Sequence, residues 1–188
     1  MFLKVGQRAD HGFDEPLGLL SDCHRRIEHF LQVLLSIAQD AAGGPLGDEQ
    51  RWQLEAALAY FATAGLRHTA DEEESVFPRL KASSEPAAAQ VQQVLARLER
   101  DHSDAVQHHQ AVDVLVRQWL GDGRLDPADA SQLATRLASL EALYRSHIAV
   151  EDNELFPVAT RLLSARQLQE IGREMAARRG LDGSDRRS

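Results

Sequence analysis

Two stretches of this 188-residue chain, HTADEEESVFP (68–78) and HIAVEDNELFP (147–157), write the same pattern 79 positions apart. Each gives a His, three residues, a Glu, further acids and then Phe-Pro. Their flanks have the periodicity of helices with one apolar face, and the His and Glu fall on that face. A fold that buries ionisable groups twice over must supply partners for them, which removes most architectures from consideration.

The flanks decide the architecture. Period-2 alternation is absent, and Ala, Leu, Gln, Glu and Arg dominate over β-branched residues, so the chain reads as helical. Gly/Pro-rich breaks fall at DAAGGPLGDE (40–49), PRLKASSEP (78–86) and GDGRLDP (121–127). They divide the chain into helices over 16–41, 48–77, 86–120 and 127–156, with Pro78 and Pro157 expected to end the second and fourth. Asp48, Ser84 before Pro86, and Asp126 before Pro127 fit capping chemistry. A shorter helical segment begins at a Ser164/Gln167 capping box and ends near Gly180. Short connections make neighbours antiparallel, so the expectation is an all-α, up-down-up-down four-helix bundle with an additional short C-terminal helix. The organisation reads as an N-terminal arm (1–15), the bundle (16–157), the C-terminal segment (158–180) and a disordered tail (181–188).

Each helix carries apolar residues at alternating spacings of three and four, and each seam has a histidine where an apolar residue belongs. In the first helix Leu20 and Ile27 flank His24. Phe61 and Val76 bracket His68 and Glu72 in the second, and Leu98 and Ala105 flank His102 in the third. The fourth places His147 and Glu151 between Leu140 and Leu155. Measured from the loops, these histidines lie 17, 20, 18 and 20 residues along their helices. At about 1.5 Å per residue that is roughly 26–30 Å in every case, so the four imidazoles meet in one layer. The halves repeat as well, since 102 − 24 = 78 and 147 − 68 = 79. The third helix extends about two turns beyond this layer at its start, an overhang that the N-terminal arm or the segment after Ser164 is expected to cover.

Two carboxylates facing each other in an apolar core repel unless a cation lies between them. His and Glu at i and i+4 share one helix face, so each motif offers an imidazole and a carboxylate to the same centre. Two such pairs supply two bridging carboxylates, the usual means of holding two cations roughly 3.5–4 Å apart. Nitrogen and oxygen donors without thiolate suit Fe, Mn or Zn. The single Cys23 excludes an internal disulfide or a thiolate-rich site. A net charge of −8 argues against a nucleic-acid partner. No apolar run is long enough to span a bilayer, and the start lacks a signal-peptide core, so no membrane association and a cytoplasmic location are expected.

His24, HTADE at 68–72, His102 and HIAVE at 147–151 together resemble the hemerythrin-like HHE cation-binding family over about residues 16–157. The resemblance implies a bundle holding two non-haem Fe ions joined by an oxo or hydroxo bridge, with Mn or Zn as other occupants. His24 and His68 would serve one iron, His102 and His147 the other, and Glu72 and Glu151 would bridge them. It also implies small ligands, namely O2, NO or peroxide. Its alternatives are a di-iron enzyme of peroxide breakdown or iron-sulfur cluster repair, and an iron-storing or structural metal bundle. The repair proteins carry a further N-terminal domain with a cysteine motif, which residues 1–15 do not provide. Oxygen-carrying hemerythrins also place a His one turn after the third-helix ligand, where this chain has Val106. That departure favours a site open to water or small ligands over stable oxygen carriage.

Other candidates have plainer readings. Glu28, one turn after His24, could approach the metals but reads as solvated. Tyr144, one turn before His147, reads as a core aromatic that could instead meet a metal ligand. Asp152 competes with Glu151 as the bridge, and the exact repeat with Glu72 favours Glu151. His109 lies too far from His102 to share a metal and reads as a hydrogen-bonded core histidine; His29 and His108 read as exposed. Cys23 reads as a buried thiol, His11 stays unassigned, and Glu73, Glu74, Asp152 and Glu154 read as a solvated acidic cluster. A ferritin-like site would need two Glu-x-x-His pairs, and only Glu99 with His102 makes one.

Overall fold

The computed structural model describes residues 11–83 and 88–181, with no side-chain detail for 88–90. Five helical rods account for nearly all of it, and no strand occurs among the described residues. We label them α1 (Pro16–Ala41), α2 (48–81), α3 (Ala88–Asp122), α4 (127–162) and α5 (Ala165–Ala177). The four long rods form an antiparallel bundle in which α1 lies against α2 and α4, and α3 lies against α4.

Local chemistry sets most boundaries. Asp126 begins α4 by accepting from the Ala128 and Asp129 amides at 2.9 and 3.0 Å. Ser164 and Gln167 form the expected capping box of α5: the Gln167 amide donates to Ser164 Oγ, and the Ser164 amide donates to Gln167 Oε1. The cap of α2 is one residue earlier than anticipated. Gly47 holds that place and Asp48 is the first helical residue, where its charge still suits the helix N-terminus. The Ser84/Pro86 start of α3 lies outside the described residues.

The prolines do not end their helices. α2 runs past Pro78 to Lys81, and α4 runs past Pro157 to Leu162. A π-helical turn precedes each proline, Glu72–Val76 in α2 and Glu151–Leu155 in α4. The wider turn accommodates a residue that has no N–H to donate and whose ring crowds the carbonyl one turn back. A third π turn, Phe61–Gly65, lies earlier in α2.

These continuations add to what packs on α3. Residues 77–81 lie against α3, with Lys81 Nζ paired to Glu99, and Leu80 shares an apolar cluster with Val91 and Leu95. α5 packs on α1 and the motif region of α2, and as expected its Ile171 and Met175 join the apolar cluster that contains Val91 and Leu95 of the overhang.

The core has two apolar parts. One holds Ile27, Leu34, Phe61, Val116, Trp119 and Leu137. The other holds Leu20, Val76, Phe77, Leu95, Leu155 and Phe156. Between them, in sequence along every rod, come the buried polar residues: His24, His68, Glu72, His102, His147 and Glu151.

Candidate metal centre

The bundle brings all six residues together. His24, His68, Glu72 and Glu151 form one group of potential ligand atoms, and Glu72, His102, His147 and Glu151 form a second; both carboxylates belong to both groups. Glu72 Oε1 lies 3.3 Å from His68 Nε2, and Glu72 Oε2 lies 3.3 Å from His102 Nε2. Glu151 Oε2 lies 3.0 Å from His24 Nε2 and 3.3 Å from His147 Nε2. Each Glu therefore spans an imidazole of its own rod and one from a rod of the other repeat. Both carboxylates have an exposure of 0 %.

Proximity here does not amount to satisfaction. All four carboxylate oxygens, and His24 Nε2, are buried with no hydrogen-bond partner. Buried polar atoms of native proteins are almost always paired, and an orphaned carboxylate is among the most expensive exceptions. Imidazole nitrogens and carboxylate oxygens that converge unpaired make a donor set suited to a hard or borderline cation.

The outward faces of the imidazoles are held. His24 Nδ1 lies 3.0 Å from Asp152 Oδ1, which also accepts from Ser21 Oγ at 2.7 Å. His102 Nδ1 lies 2.8 Å from Glu73 Oε1, and His147 Nδ1 lies 3.4 Å from Asp101 Oδ2. A carboxylate accepts only, so these three Nδ1 atoms carry hydrogens and their Nε2 atoms point to the centre. His68 Nδ1 is buried without a partner. The second repeat of the motif explains its Phe: Phe156 stacks on His24 with centroids 5.6 Å apart, and Phe77 stacks on His102 at 6.1 Å. Residues five and nine places after each motif His thus orient an imidazole from the opposite repeat.

Electrostatics follow the same geometry. Burial would lower His24, but Asp152, Glu151 and Glu72 outweigh it and hold its pKa well above the usual histidine value. The same competition, with Glu72 and Glu73 foremost, lifts His102 to about 9. His68 is lowered by burial. Burial would raise Glu72, but His68, His102 and His24 hold it well below the usual carboxylate range.

These observations revise the plainer readings. Glu73 and Asp152, though partly exposed, are also imidazole partners, because the helices turn them onto Nδ1 atoms of neighbouring rods. Glu28 and His29 are exposed. His108 is only half-buried and its Nδ1 is enclosed without a partner, so it is not the exposed residue anticipated. Tyr144 belongs to neither group of ligand atoms; its hydroxyl lies 2.8 Å from His109 Nε2. Burial, aided by Glu72 and Glu151, raises Tyr144, and burial lowers His109 to about 4. Cys23 is buried, and that burial raises its thiol. His11 meets Asp22 through both its amide and Nδ1. Asp101, directly before His102, was not expected at the site; it reaches His147 across the bundle.

Residues 15–159 match the family model of the hemerythrin HHE cation binding domain. The chain belongs to the hemerythrin family. A relative in Haemophilus influenzae, described only as an uncharacterized protein, is 28% identical over 167 residues, covering 89% of this chain and 91% of that protein. The matched span of this hemerythrin-family chain contains all six buried His and Glu residues, and their grouping fits a metal site. None of the helices among the described residues is long and apolar enough to cross a membrane.

Proposed function

We propose that the chain is a non-haem di-iron protein that binds or senses O2, NO or peroxide. His24 and His68 would hold one iron and His102 and His147 the other, with Glu72 and Glu151 shared. The observation that carries this reading is the set of four carboxylate oxygens buried without hydrogen-bond partners between four imidazoles. A pair of irons would supply reversible one-electron chemistry to a small oxidising ligand.

The protein's own contribution is positioning and exclusion. Glu73, Asp152 and Asp101 fix three imidazoles with Nε2 inward. Phe77 and Phe156 close the layer on one side and restrict ring rotation. Tyr144 remains protonated because burial opposes its ionisation, so it is a standing hydrogen-bond donor one turn from His147. At the place where oxygen carriers have a further His, Val106 is 43 % exposed. An aliphatic residue there leaves that side free for ligand exchange, which supports sensing, or turnover of peroxide, over stable carriage.

Elemental analysis of the aerobically purified chain tests the reading, with about two irons per chain expected together with a near-ultraviolet charge-transfer band. His68→Ala and Glu72→Ala should each lower iron content and weaken that band. A colourless chain containing zinc, or variants with unaltered iron and spectrum, would remove the proposal. Rapid peroxide consumption by the loaded chain would select the enzymatic form of the reading, and a stable NO adduct the sensing form.

A further inference from the structure

α2 and α3 meet closely over 77–81 and sparsely along the rest of their length. A cavity of about 400 Å3 opens in this seam. Small residues make the space: Ala62 and Gly65 on the π turn of α2, facing Ala105 and Val106 on α3. Its walls are largely apolar, including Leu34, Leu58 and Phe61, and its floor reaches His102. Leu66, Val106 and Val114 stand at the rim with exposures of 60, 43 and 64 %.

Volume decides what such a cavity can hold. A diatomic needs little more than the roughly 30 Å3 share of one water molecule, whereas pockets of about 300–1,000 Å3 accommodate organic ligands. Chemistry narrows the class further. No Lys or Arg lines the cavity, and the basic group at its floor, His102, is already paired with Glu72 and Glu73, so an anion finds little counter-charge there. Its one carboxylate, Asp113, is turned to Arg117 at 2.8 Å. Thr69 and Gln110 also line the cavity, but the polar group set deepest in the apolar wall is the Tyr144–His109 pair, whose 2.8 Å hydrogen bond leaves the phenol oxygen capacity for one more partner.

We propose that this seam is a binding site for a small, neutral, mainly apolar organic molecule bearing one hydroxyl group. The polar group meets Tyr144, and the apolar body lies between Phe61, Leu58 and Ala105 beside His102. The assignment goes beyond the di-iron reading and does not require it, since every group it uses belongs to the protein.

Calorimetric titration of the full chain with benzyl alcohol, and with ethylbenzene as its isostere without the hydroxyl, tests the site. Both should bind saturably at one site. Val106→Trp and, separately, Ala62→Leu should fill the seam and weaken both probes by at least about ten-fold. Tyr144→Phe should weaken benzyl alcohol about five-fold and leave ethylbenzene unchanged. Unsaturable binding, or undiminished affinity in both filled variants with wild-type melting behaviour, would overturn the proposal. So would equal loss of the two probes in Tyr144→Phe. Concentration-dependent self-association that Val106→Trp abolishes would overturn it too, by showing a second copy over the rim. None of these readouts involves iron, so a colourless chain that binds the probes would defeat the metal reading alone.

Discussion

His102 Nε2 and His147 Nε2 face each other 3.1 Å apart in the centre of the bundle. Their Nδ1 atoms are engaged by the carboxylates of Glu73 and Asp101. Two neutral rings held this way would present lone pairs to each other. Something positive must lie between or beside them, either a proton on one ring or a metal ion accepting from both.

That alternative predicts a pH dependence that differs between the metal-free and loaded chains. The metal-free His102 has a pKa of about 9, whereas an unfolded histidine titrates near about 6.5. Its proton therefore stabilises the fold fully below about pH 6.5, and the contribution disappears as pH rises through about 9. Glu72 acts at the acid end: its depressed pKa stabilises the fold above the ordinary value of 4.5 and is lost as pH falls through the folded value. Denaturant titrations of the chelated chain should show stability declining from about pH 6.5 to 9. The loaded chain should lack that decline, because a ligated imidazole has no such proton to lose, and metal uptake near neutrality should release protons. Identical profiles with and without metal would contradict the assignment of His102.

The orienting carboxylates give a second prediction. Glu73 and Asp152 occupy equivalent places in the two repeats, each on an Nδ1 of the opposite half. Glu73→Ala and Asp152→Ala should each reduce metal affinity by about 10–100-fold, with little loss of stability because both side chains are partly exposed. Asp101→Ala should do less, given its longer 3.4 Å approach. Competition with a chromophoric chelator measures all three. If Asp152→Ala removed metal as completely as Glu151→Ala, Asp152 would be a ligand itself.

The difference between these two acids marks what sequence can express. The layer of four histidines followed from helical rise and loop positions, quantities that add along the chain, so His24 and His147 could be set level without coordinates. Fold class was legible for the same reason. The partners of the outward nitrogens were not, because Glu73 looks like any solvated acid in a local pattern, Asp152 like one or like a rival bridge, and both acquire their role from a rod far away in sequence. The prolines misled for a local reason: a helix-breaking rule assumes regular α-geometry, and the π turns at Glu72 and Glu151 suspend it.

Gly172 carries a prediction opposite in sign to propensity. It lies inside α5, where replacing Gly by Ala ordinarily stabilises by about 1 kcal/mol. Here a Cβ would stand 1.8 Å from the carbonyl oxygen of Phe13. Backbone cannot rotate away as a side chain can, so Gly172→Ala should lower the melting temperature and loosen the segment around Phe13. Limited proteolysis near Phe13, together with thermal unfolding, reads both effects. A stabilised Gly172→Ala chain would mean that α5 shifts freely against the start of the described chain.

The end of α5 also anchors the motif of α2. Asp71, directly before Glu72, is fully buried and accepts from Arg178 Nη1 at 2.9 Å and Arg179 Nη2 at 2.7 Å. Arg178 reaches on to Ser75 Oγ and Glu74 Oε2, and Arg79 pairs with Glu174 through two contacts. Removing one arginine leaves Asp71 its other partner, whereas removing both strands a buried carboxylate, a change that typically costs about 3–5 kcal/mol. Because both guanidinium groups are about one-fifth exposed, the lower end of that range is expected for Arg178→Ala with Arg179→Ala. The single variants should sum to less than the double. Adding Asp71→Ala to the double variant should restore part of the loss, since the stranded charge goes with it. Unfolding of the chelated chains separates this effect from metal content. A triple variant as unstable as the double would show that α5 is held by its apolar face of Ile171 and Met175, and that the ion pairs contribute little.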